Sequence, residues 1–247
     1  MIKGFSMEHI PAQIAQIHER IAASARRAGR RPEEITLVAV SKTHGPDVIR
    51  AALAAGITDL GENRVQEAAP KIAALATCHP RPRWHLIGHL QRNKARTAAE
   101  LFDIVQSVDS LRLAEILDRH AADIGRRLPI LLQVNVSGEV SKEGFALAGG
   151  IANRAAYDLL YTDLERIVAM PQLEVRGLMT IAPMMDDPEA ARPIFRMLRE
   201  LRDDLAHRLP HTCWDDLSMG MSNDFEGAIA EGATIVRVGR AIFGARP

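Results

Sequence analysis

The sequence predicts an α/β fold, a single (β/α)8 barrel of the TIM type with an N-terminal helix before strand one. The chain has 247 residues, close to the ~250 residues typical of such a barrel. Short apolar runs alternate with helical stretches along the whole chain, a pattern that favours a parallel sheet. Eight of the runs are typical of strands, and eight strands favour closure into a barrel over an open sheet.

The first predicted element is a helix over residues 8–28. Four isoleucines recur at the spacing of one helix face: Ile10, Ile14, Ile17 and Ile21. Pro11 suits a first helical turn, and Gly29 suits a helix end. The sequence ends a few residues after the eighth predicted strand, so no eighth outer helix is expected there. We expect the first helix to fill that place, beside strands eight and one.

The predicted strands start with a β-branched run at residues 35–42. The other seven lie at 58–63, 84–88, 104–108, 130–136, 175–182, 217–221 and 235–239. Between them, Pro46 opens a helix that ends at Gly56, and Ser110 is expected to cap a helix over 111–124. Asp187 and Pro188 open a helix whose predicted inner face is Ile194, Met197, Leu198, Leu201 and Leu205.

Nothing in the composition marks a second domain, so residues 1–247 are expected to form one. The longest excursion, residues 137–170, follows strand five and contains both tyrosines, Tyr157 and Tyr161. A lid is one role it could have.

The composition excludes several classes of function. Lys+Arg and Asp+Glu are both 31, so the excess of cation that nucleic acids and anionic lipids require is missing. No apolar run approaches the ~20 residues of a membrane helix. Two cysteines without metal-ligand spacing and the lack of a signal-peptide pattern favour a cytoplasmic protein.

Lys42 is the first candidate functional residue. It closes the apolar run of strand one, which places its amine at the barrel mouth, the working face of this fold. A partly desolvated lysine near another cation loses its proton readily and can form a Schiff base with an aldehyde. The alternative is a strand-end lysine that simply reaches water.

The ends of strands seven and eight suit a phosphate. Gly220, Ser222 and Gly239 would let an anion approach the backbone, in the loops where this fold recurrently binds phosphate. Alternation along strand eight turns Arg237 inward. The alternative for the two glycines is tight packing. Asn63, after strand two, could donate to a ligand oxygen or cap the next helix.

A mouth lysine, a phosphate cradle and an inward arginine together indicate a phosphorylated aldehyde. Pyridoxal 5′-phosphate satisfies all three features, and an aldolase substrate satisfies two. No metal site is predicted, because the run between His85 and His89 has the pattern of a strand end, which separates their faces.

At these residues the chain resembles the pyridoxal phosphate homeostasis protein family, single-domain relatives of the alanine racemase barrel. The strings that carry the resemblance are AVSKT at 39–43, GENRVQE at 61–67, HLIGHLQRNK at 85–94, QVNVSGEVSKEGF at 133–145, GLMTIAP at 177–183, LSMGMSNDFEGAI at 217–229 and VRVGRAIFGARP at 236–247. The fold implied is a fold-type III pyridoxal phosphate barrel.

The resemblance also implies roles for the candidate residues. Lys42 would hold pyridoxal 5′-phosphate as an internal aldimine, Arg237 would face the pyridine nitrogen, and Asn63 would lie beside the ring. The phosphate would meet Ser222, Gly239 and Arg240, although the family commonly has threonine at position 240. Lys142 matches a family lysine near the mouth, a match that suggests a transfer role or a secondary binding role.

The implied function is a monomeric carrier that buffers the cofactor and supplies apoenzymes, without classical turnover. Racemisation needs acid–base groups on both faces of the cofactor, and alanine racemase takes the second from another domain, which is not expected in this sequence. Two alternatives stay open. One is a racemase-like enzyme that uses pyridoxal phosphate, and the other is a cofactor-free barrel enzyme that acts on a sugar phosphate.

Overall fold

Eight parallel strands close into a barrel in the computed structural model, which describes residues 7–244. The strands are β1 (Thr36–Val40), β2 (Asp59–Glu62), β3 (Arg83–Leu86), β4 (Ile104–Val108), β5 (Leu128–Asn135), the short β6 (Phe145–Ala146), β7 (Leu173–Met179), β8 (Asp216–Ser218) and β9 (Ile235–Val238). Pairing of β4 with β5 and of β9 with β1 closes the barrel, and β6 pairs with β5 outside it. The predicted barrel is therefore confirmed.

Helices surround the barrel. They are α1 (Ile10–Arg27), α2 (Pro46–Ala54), α3 (Val65–Ala74), α4 (Ala95–Leu101), α5 (Leu111–Asp123), α6 (Arg154–Val168), α7 (Arg192–Arg208), α8 (Phe225–Ala230) and α9 (Arg240–Phe243). Within the described part of the chain, none of them combines the length and the apolar character that a bilayer crossing demands.

Helix α1 fills the gap in the outer ring, as predicted. Its face of four isoleucines is at most 3% exposed, and the helix packs between α2 on one side and α8 and α9 on the other. Because α2 follows β1 and α8 precedes β9, α1 covers the seam between the first and last strands. One difference is that a single helical turn, α9, follows β9 where no outer helix was expected.

Several strands are shorter than their apolar runs. Strand β1 ends at Val40, so Lys42 lies in a turn beyond it, and β8 ends at Ser218 instead of residue 221. The reason is local backbone geometry. Thr43 has a left-handed φ of 68°, and the His44 N–H donates to the Ser41 carbonyl at 3.1 Å, so the chain turns away from its neighbouring strands.

The predicted helix signals are confirmed with small shifts. The Leu113 N–H donates to Ser110 Oγ at 3.4 Å, which caps α5. Residues Pro188–Ala191 form a 3-10 turn before α7 begins. On α7 the three predicted leucines are fully buried together with Phe195, which the sequence prediction omitted. Ile194 and Met197 are only half-buried.

The excursion after β5 is mostly an ordinary part of the barrel. Helix α6 is the outer helix between β5 and β7, so only the segment with β6 before it is additional. Tyr157 is buried and donates to the Asp204 carboxylate on α7, and Tyr161 stacks on it with the ring centroids 6.0 Å apart. Both tyrosines therefore stabilise the outer ring.

Truncation of one isoleucine on α1 should measure how far the barrel depends on this helix. Ile17→Ala removes a side chain that is 2% exposed, so we expect it to lower the free energy of unfolding by about 2–4 kcal/mol. Urea denaturation measures the change. Gln16→Ala, on the exposed face of α1, is the control and should stay within about 0.5 kcal/mol of the original chain. Equal effects of the two would contradict the packing of α1 as a barrel helix.

Candidate functional site

A cavity of about 280 Å³ opens at the C-terminal ends of the strands, the face that carries the active site in this fold. It is lined by the loops that follow β1, β2, β3, β7, β8 and β9. All the residues singled out for the cofactor line it: Lys42, Asn63, Ser222, Arg237, Gly239 and Arg240. The fold therefore brings together residues that are far apart in the sequence. Lys42 and Arg240, the most distant two, are separated by 198 positions.

The rest of the lining was not predicted. The loop after β7 contributes an apolar wall that includes Ile181, Pro183 and Met184. Two titratable groups, His44 and Asp224, also line the cavity. Apolar loop residues carry no chemical signal, and His44 stands next to a turn whose direction the sequence did not predict.

The turn that holds Lys42 is anchored from below by a buried ion pair. Lys71 Nζ, on α3, donates to the Ser41 carbonyl at 2.9 Å and to Glu62 Oε1 at 2.8 Å. The Ser41 hydroxyl donates to the same carboxylate oxygen at 2.7 Å. Burial raises the pKa of Glu62, against the opposing effect of Lys71 and Ser41. These contacts fix the backbone immediately before Lys42.

The positive charge of Lys71 acts on the mouth of the barrel. Burial, and then the Lys71 ammonium, lower the pKa of His44, two residues beyond Lys42. The sequence argument for Lys42 required a second cation near it, and the Lys71 ammonium lies 2.9 Å from the carbonyl oxygen of Ser41, the residue before Lys42. The sequence analysis did not single out Lys71, because no local pattern places a lysine of α3 against the turn after β1.

Arg237 lies inside the barrel, as alternation along the last strand predicted. It is 4% exposed. Its Nη1 donates to Ser218 Oγ at 2.6 Å, and its Nη2 donates to the Thr180 carbonyl at 2.7 Å. Burial lowers the pKa of Arg237 to about 10, although the Asp224 carboxylate opposes the shift. The guanidinium therefore stays charged at neutral pH.

Behind Arg237, a hydrogen-bond chain crosses the barrel interior. Ser218 Oγ donates to Gln106 Oε1 at 2.6 Å, and Gln106 Nε2 lies 2.8 Å from His85 Nδ1. His85 Nε2 lies 2.8 Å from Asp59 Oδ1, which also pairs with Arg83 at 2.8 Å. The sequence analysis did not use Gln106, although a single glutamine in the apolar run of β4 is an available signal.

Asn63 does not cap the following helix. The N-cap of α3 is Arg64, and no side chain caps it, so the capping alternative is wrong. The backbone of Asn63 packs directly against Gly88. Only glycine allows this approach, because a Cβ at position 88 would lie 2.4 Å from the Asn63 carbonyl oxygen. This close approach of two loops keeps Asn63 at the cavity wall.

The two glycines near the predicted phosphate position differ. Gly220 has φ 91°, and a Cβ there would lie 2.6 Å from the Ala228 Cβ, so tight packing explains it. Gly239 lines the cavity, and its Cβ would lie 3.2 Å from the Val40 backbone oxygen. A side chain at either position would disturb this end of the barrel.

Ser222 is held by the turn after β8. Asp224 Oδ1 accepts from the Met221 N–H at 2.6 Å, and the Ala241 N–H donates to Ser222 Oγ at 3.4 Å. Burial raises the pKa of Asp224, while the Met221 N–H and Arg237 lower it. Arg240 is exposed at the same rim.

The remaining polar residues discussed from the sequence lie elsewhere. His89 Nδ1 contacts Asp109 Oδ2 at 2.8 Å on the surface, whereas His85 is inside the barrel, so the two rings face different partners. His89, Asp109 and Glu143 bring possible ligand atoms within 4.8 Å of one another, in a depression that Arg92 and Arg112 also line. Lys142 pairs with Glu139 at 3.8 Å, and it is not part of the mouth cavity.

Comparison with known proteins agrees with this architecture. The sequence profile of the family described as alanine racemase, N-terminal domain, matches residues 13–247. The pyridoxal phosphate homeostasis protein of Pseudomonas aeruginosa is 44% identical over 240 residues, which are 97% of each chain. Its counterpart of the same name in Escherichia coli is 41% identical over 242 residues, 97% of this chain and 98% of that one.

Solved structures give the same result. PipY of Synechococcus elongatus, in a structure with pyridoxal phosphate (PLP) bound, is 41% identical and has a TM-score of 0.78, covering 92% of this chain and all of its own. Alanine racemase of Clostridium difficile has a TM-score of 0.66 at 12% identity, and the match covers 60% of that chain. The racemase therefore shares the barrel fold.

These similarities define a barrel of the alanine racemase N-terminal domain class. Within that class, the chain belongs to the pyridoxal phosphate homeostasis protein family, as 41–44% identity over nearly the full length establishes.

Asp59 lies at the far end of the hydrogen-bond chain that begins at Arg237. Its carboxylate should make the free energy of unfolding depend on pH. Burial raises the pKa of Asp59, but hydrogen bonds from His85, Arg83 and Thr58 outweigh it and lower the pKa to about 2. A carboxyl group whose pKa is lowered by folding stabilises the fold at pH values above its pKa in the unfolded chain, which is about 3.9 for aspartate. That contribution, about 2 kcal/mol, should disappear as the pH falls from about 4 to about 2.

Urea unfolding of the original chain and of Asp59→Asn between pH 6 and pH 2.5 measures this dependence. The difference in unfolding free energy should shrink as the pH falls. Asp47→Asn, at an exposed pair with Arg50, is the control and should show a difference near zero throughout. A constant difference for Asp59→Asn would contradict the assigned hydrogen bonds.

Proposed function

We propose that this protein binds pyridoxal 5′-phosphate in the mouth cavity and acts as a carrier that buffers the cofactor and supplies apoenzymes. In this proposal Lys42 holds the aldehyde covalently, Arg237 faces the pyridine nitrogen, and Asn63 lies beside the ring. The phosphate is held by Ser222, the Gly239 backbone and Arg240. When bound, the cofactor supplies an aldehyde that condenses with amines.

The residues of the cavity fit this cofactor. The observation that carries the proposal is the assembly of the Lys42 amine, the buried Arg237 cation and a rim that includes the Ser222 hydroxyl in one cavity. The two acceptors of the Arg237 guanidinium, the Ser218 hydroxyl and the Thr180 carbonyl, are both neutral. A buried cation without an ion-pair partner is costly, and a ring nitrogen that accepts a hydrogen bond suits the donors of arginine.

Two features support a carrier over a catalyst. Arginine keeps its proton, so it does not promote a protonated pyridine ring as a carboxylate would. Because alanine racemase also uses an arginine there, the second feature carries more weight. The chain has only two tyrosines, and both pack in the outer ring on α6, away from the cavity. A tyrosine like the one that alanine racemase uses on the second face therefore has no counterpart among them.

A racemase-like enzyme is the second candidate. His44 and Asp224 line the cavity with Lys42, so further titratable groups are present. Sustained exchange of the α-proton of an amino acid, lost in Lys42→Ala, would favour this candidate over the carrier.

The cellular location and the oligomeric state of the carrier are part of the same proposal. Cys78 and Cys213 are both free thiols, the state that a reducing cytoplasm maintains. We propose a cytoplasmic monomer, since one barrel contains the whole cavity. Sedimentation with and without the cofactor measures the state of association.

Lys42→Ala should abolish covalent retention of the cofactor. The original chain, incubated with pyridoxal phosphate and reduced with borohydride, should retain one label on the peptide that contains Lys42. Lys42→Ala should retain none, because the only amine assigned to the aldehyde is gone. Absorbance and peptide mass mapping measure both results.

Lys142→Ala is the matched control, because Lys142 pairs with Glu139 outside the mouth cavity. It should label like the original chain. Label spread over surface lysines, or equal label in Lys42→Ala, would contradict the proposed linkage.

Arg240→Ala should weaken binding of the phosphorylated cofactor alone. Arg240 is exposed, so its contact is worth at most about 1 kcal/mol, or roughly five-fold in affinity. Titrations with pyridoxal phosphate and with pyridoxal, followed by absorbance, separate the two ligands. Equal losses for both would show that Arg240 does not act on the phosphate.

A further inference from the structure

Arg237 is one end of a hydrogen-bond chain that spans the barrel interior. Its members, Ser218, Gln106, His85 and Asp59, are at most 1% exposed. They lie on β8, β4, β3 and β2, so the chain crosses from one wall of the barrel to the other. Its far end is Arg83, the first residue of β3, whose side chain is 54% exposed. The floor of the mouth cavity is thereby connected to the opposite end of the barrel.

The guanidinium fixes the direction of every bond in the chain. Arginine only donates, so Ser218 Oγ accepts from Nη1 and must give its own hydrogen to Gln106 Oε1. The carboxamide of Gln106 then presents Nε2 to His85. Nδ1 of His85 can accept this N–H only if Nδ1 itself carries no hydrogen.

The other end requires the same form of His85. Asp59 accepts from Arg83 and Thr58, and its pKa of about 2 keeps it anionic at neutral pH. An ionised carboxylate oxygen only accepts, so His85 Nε2, which lies 2.8 Å from Asp59 Oδ1, carries the hydrogen. Both ends are satisfied by one arrangement, a neutral imidazole with its hydrogen on Nε2.

We infer that Gln106 and His85 are positioning residues, which hold the Arg237 guanidinium in the orientation that it presents to the cavity. This role rests on the proposed binding of pyridoxal phosphate. Without Gln106, the Ser218 hydroxyl loses its acceptor and is free to rotate away from Nη1. Of its two acceptors, the guanidinium then keeps only the Thr180 carbonyl, and its donors no longer meet the ring nitrogen in one geometry.

Gln106→Leu tests the positioning role, because leucine keeps the volume and removes both hydrogen bonds. We expect about ten-fold weaker binding of pyridoxal phosphate, as expected for loss of a hydrogen bond to a charged group. We also expect a shift in the visible absorption maximum of the bound cofactor, since hydrogen bonding at its ring nitrogen tunes its electronics.

Gln133→Leu is the matched control. Gln133 is 4% exposed on β5 and donates one hydrogen bond, to the Glu143 carbonyl, but it has no link to Arg237. It should lose stability and keep the absorption maximum and affinity of the original chain. Identical spectra and affinities in the two variants would overturn the positioning role.

A measurement on the original chain covers the case in which Gln106→Leu does not fold. Nitrogen-15 NMR of the cofactor-loaded protein, with the His85 signals assigned by their absence in His85→Gln or by through-bond connectivity, reports which ring nitrogen carries hydrogen. We expect hydrogen on Nε2 and none on Nδ1 at neutral pH. Hydrogen on Nδ1 would overturn the donor and acceptor directions assigned to this hydrogen-bond chain.

The two proposals fail in different ways. An original chain that takes up no pyridoxal phosphate contradicts the proposed function. An original chain that binds it normally, while Gln106→Leu behaves like Gln133→Leu, contradicts the positioning role alone.

Discussion

A guanidinium buried inside an apolar barrel must find hydrogen-bond acceptors, and this requirement organises the interior of the protein. Arg237 takes one acceptor from the backbone at Thr180 and one from Ser218. The hydroxyl hydrogen of Ser218 then needs an acceptor of its own, which is Gln106, because an unsatisfied polar group inside a protein costs free energy. The result is a polar chain across four further strands in a barrel whose other interior groups are mostly apolar. Gln106 and His85 are thereby linked to Arg237 through Ser218.

The mouth of the barrel is organised differently, by turns. Lys42, Ser222 and Gly239 all lie just beyond the ends of their strands. Backbone and side-chain contacts therefore hold them in place: the Lys71 ammonium under the first turn and the Asp224 carboxylate in the second. A rigid floor and tightly anchored turns suit a protein that retains a ligand in one orientation.

Much of the fold could be predicted from local patterns. The isoleucine face of α1 and the alternation of strands and helices follow from periodicity, which depends only on neighbouring residues. The predicted strand ends were less accurate. The apolar pattern continues into residues that belong to turns and not to the sheet. The candidate cavity was predicted in part. Lysine, arginine and serine at strand ends carry chemical signals, whereas the apolar loop with Met184 carries none.

The sequence by itself determined the barrel, the closing role of α1 and the inward direction of Arg237, since each follows from spacing along the chain. Tertiary structure alone decided which groups meet. Gln106 and Ser218 are 112 positions apart in sequence, and Lys71 reaches Ser41 across 30. The physical reason is that closing a parallel barrel brings distant strands into contact and gathers their loops at one end, and no local pattern encodes that proximity.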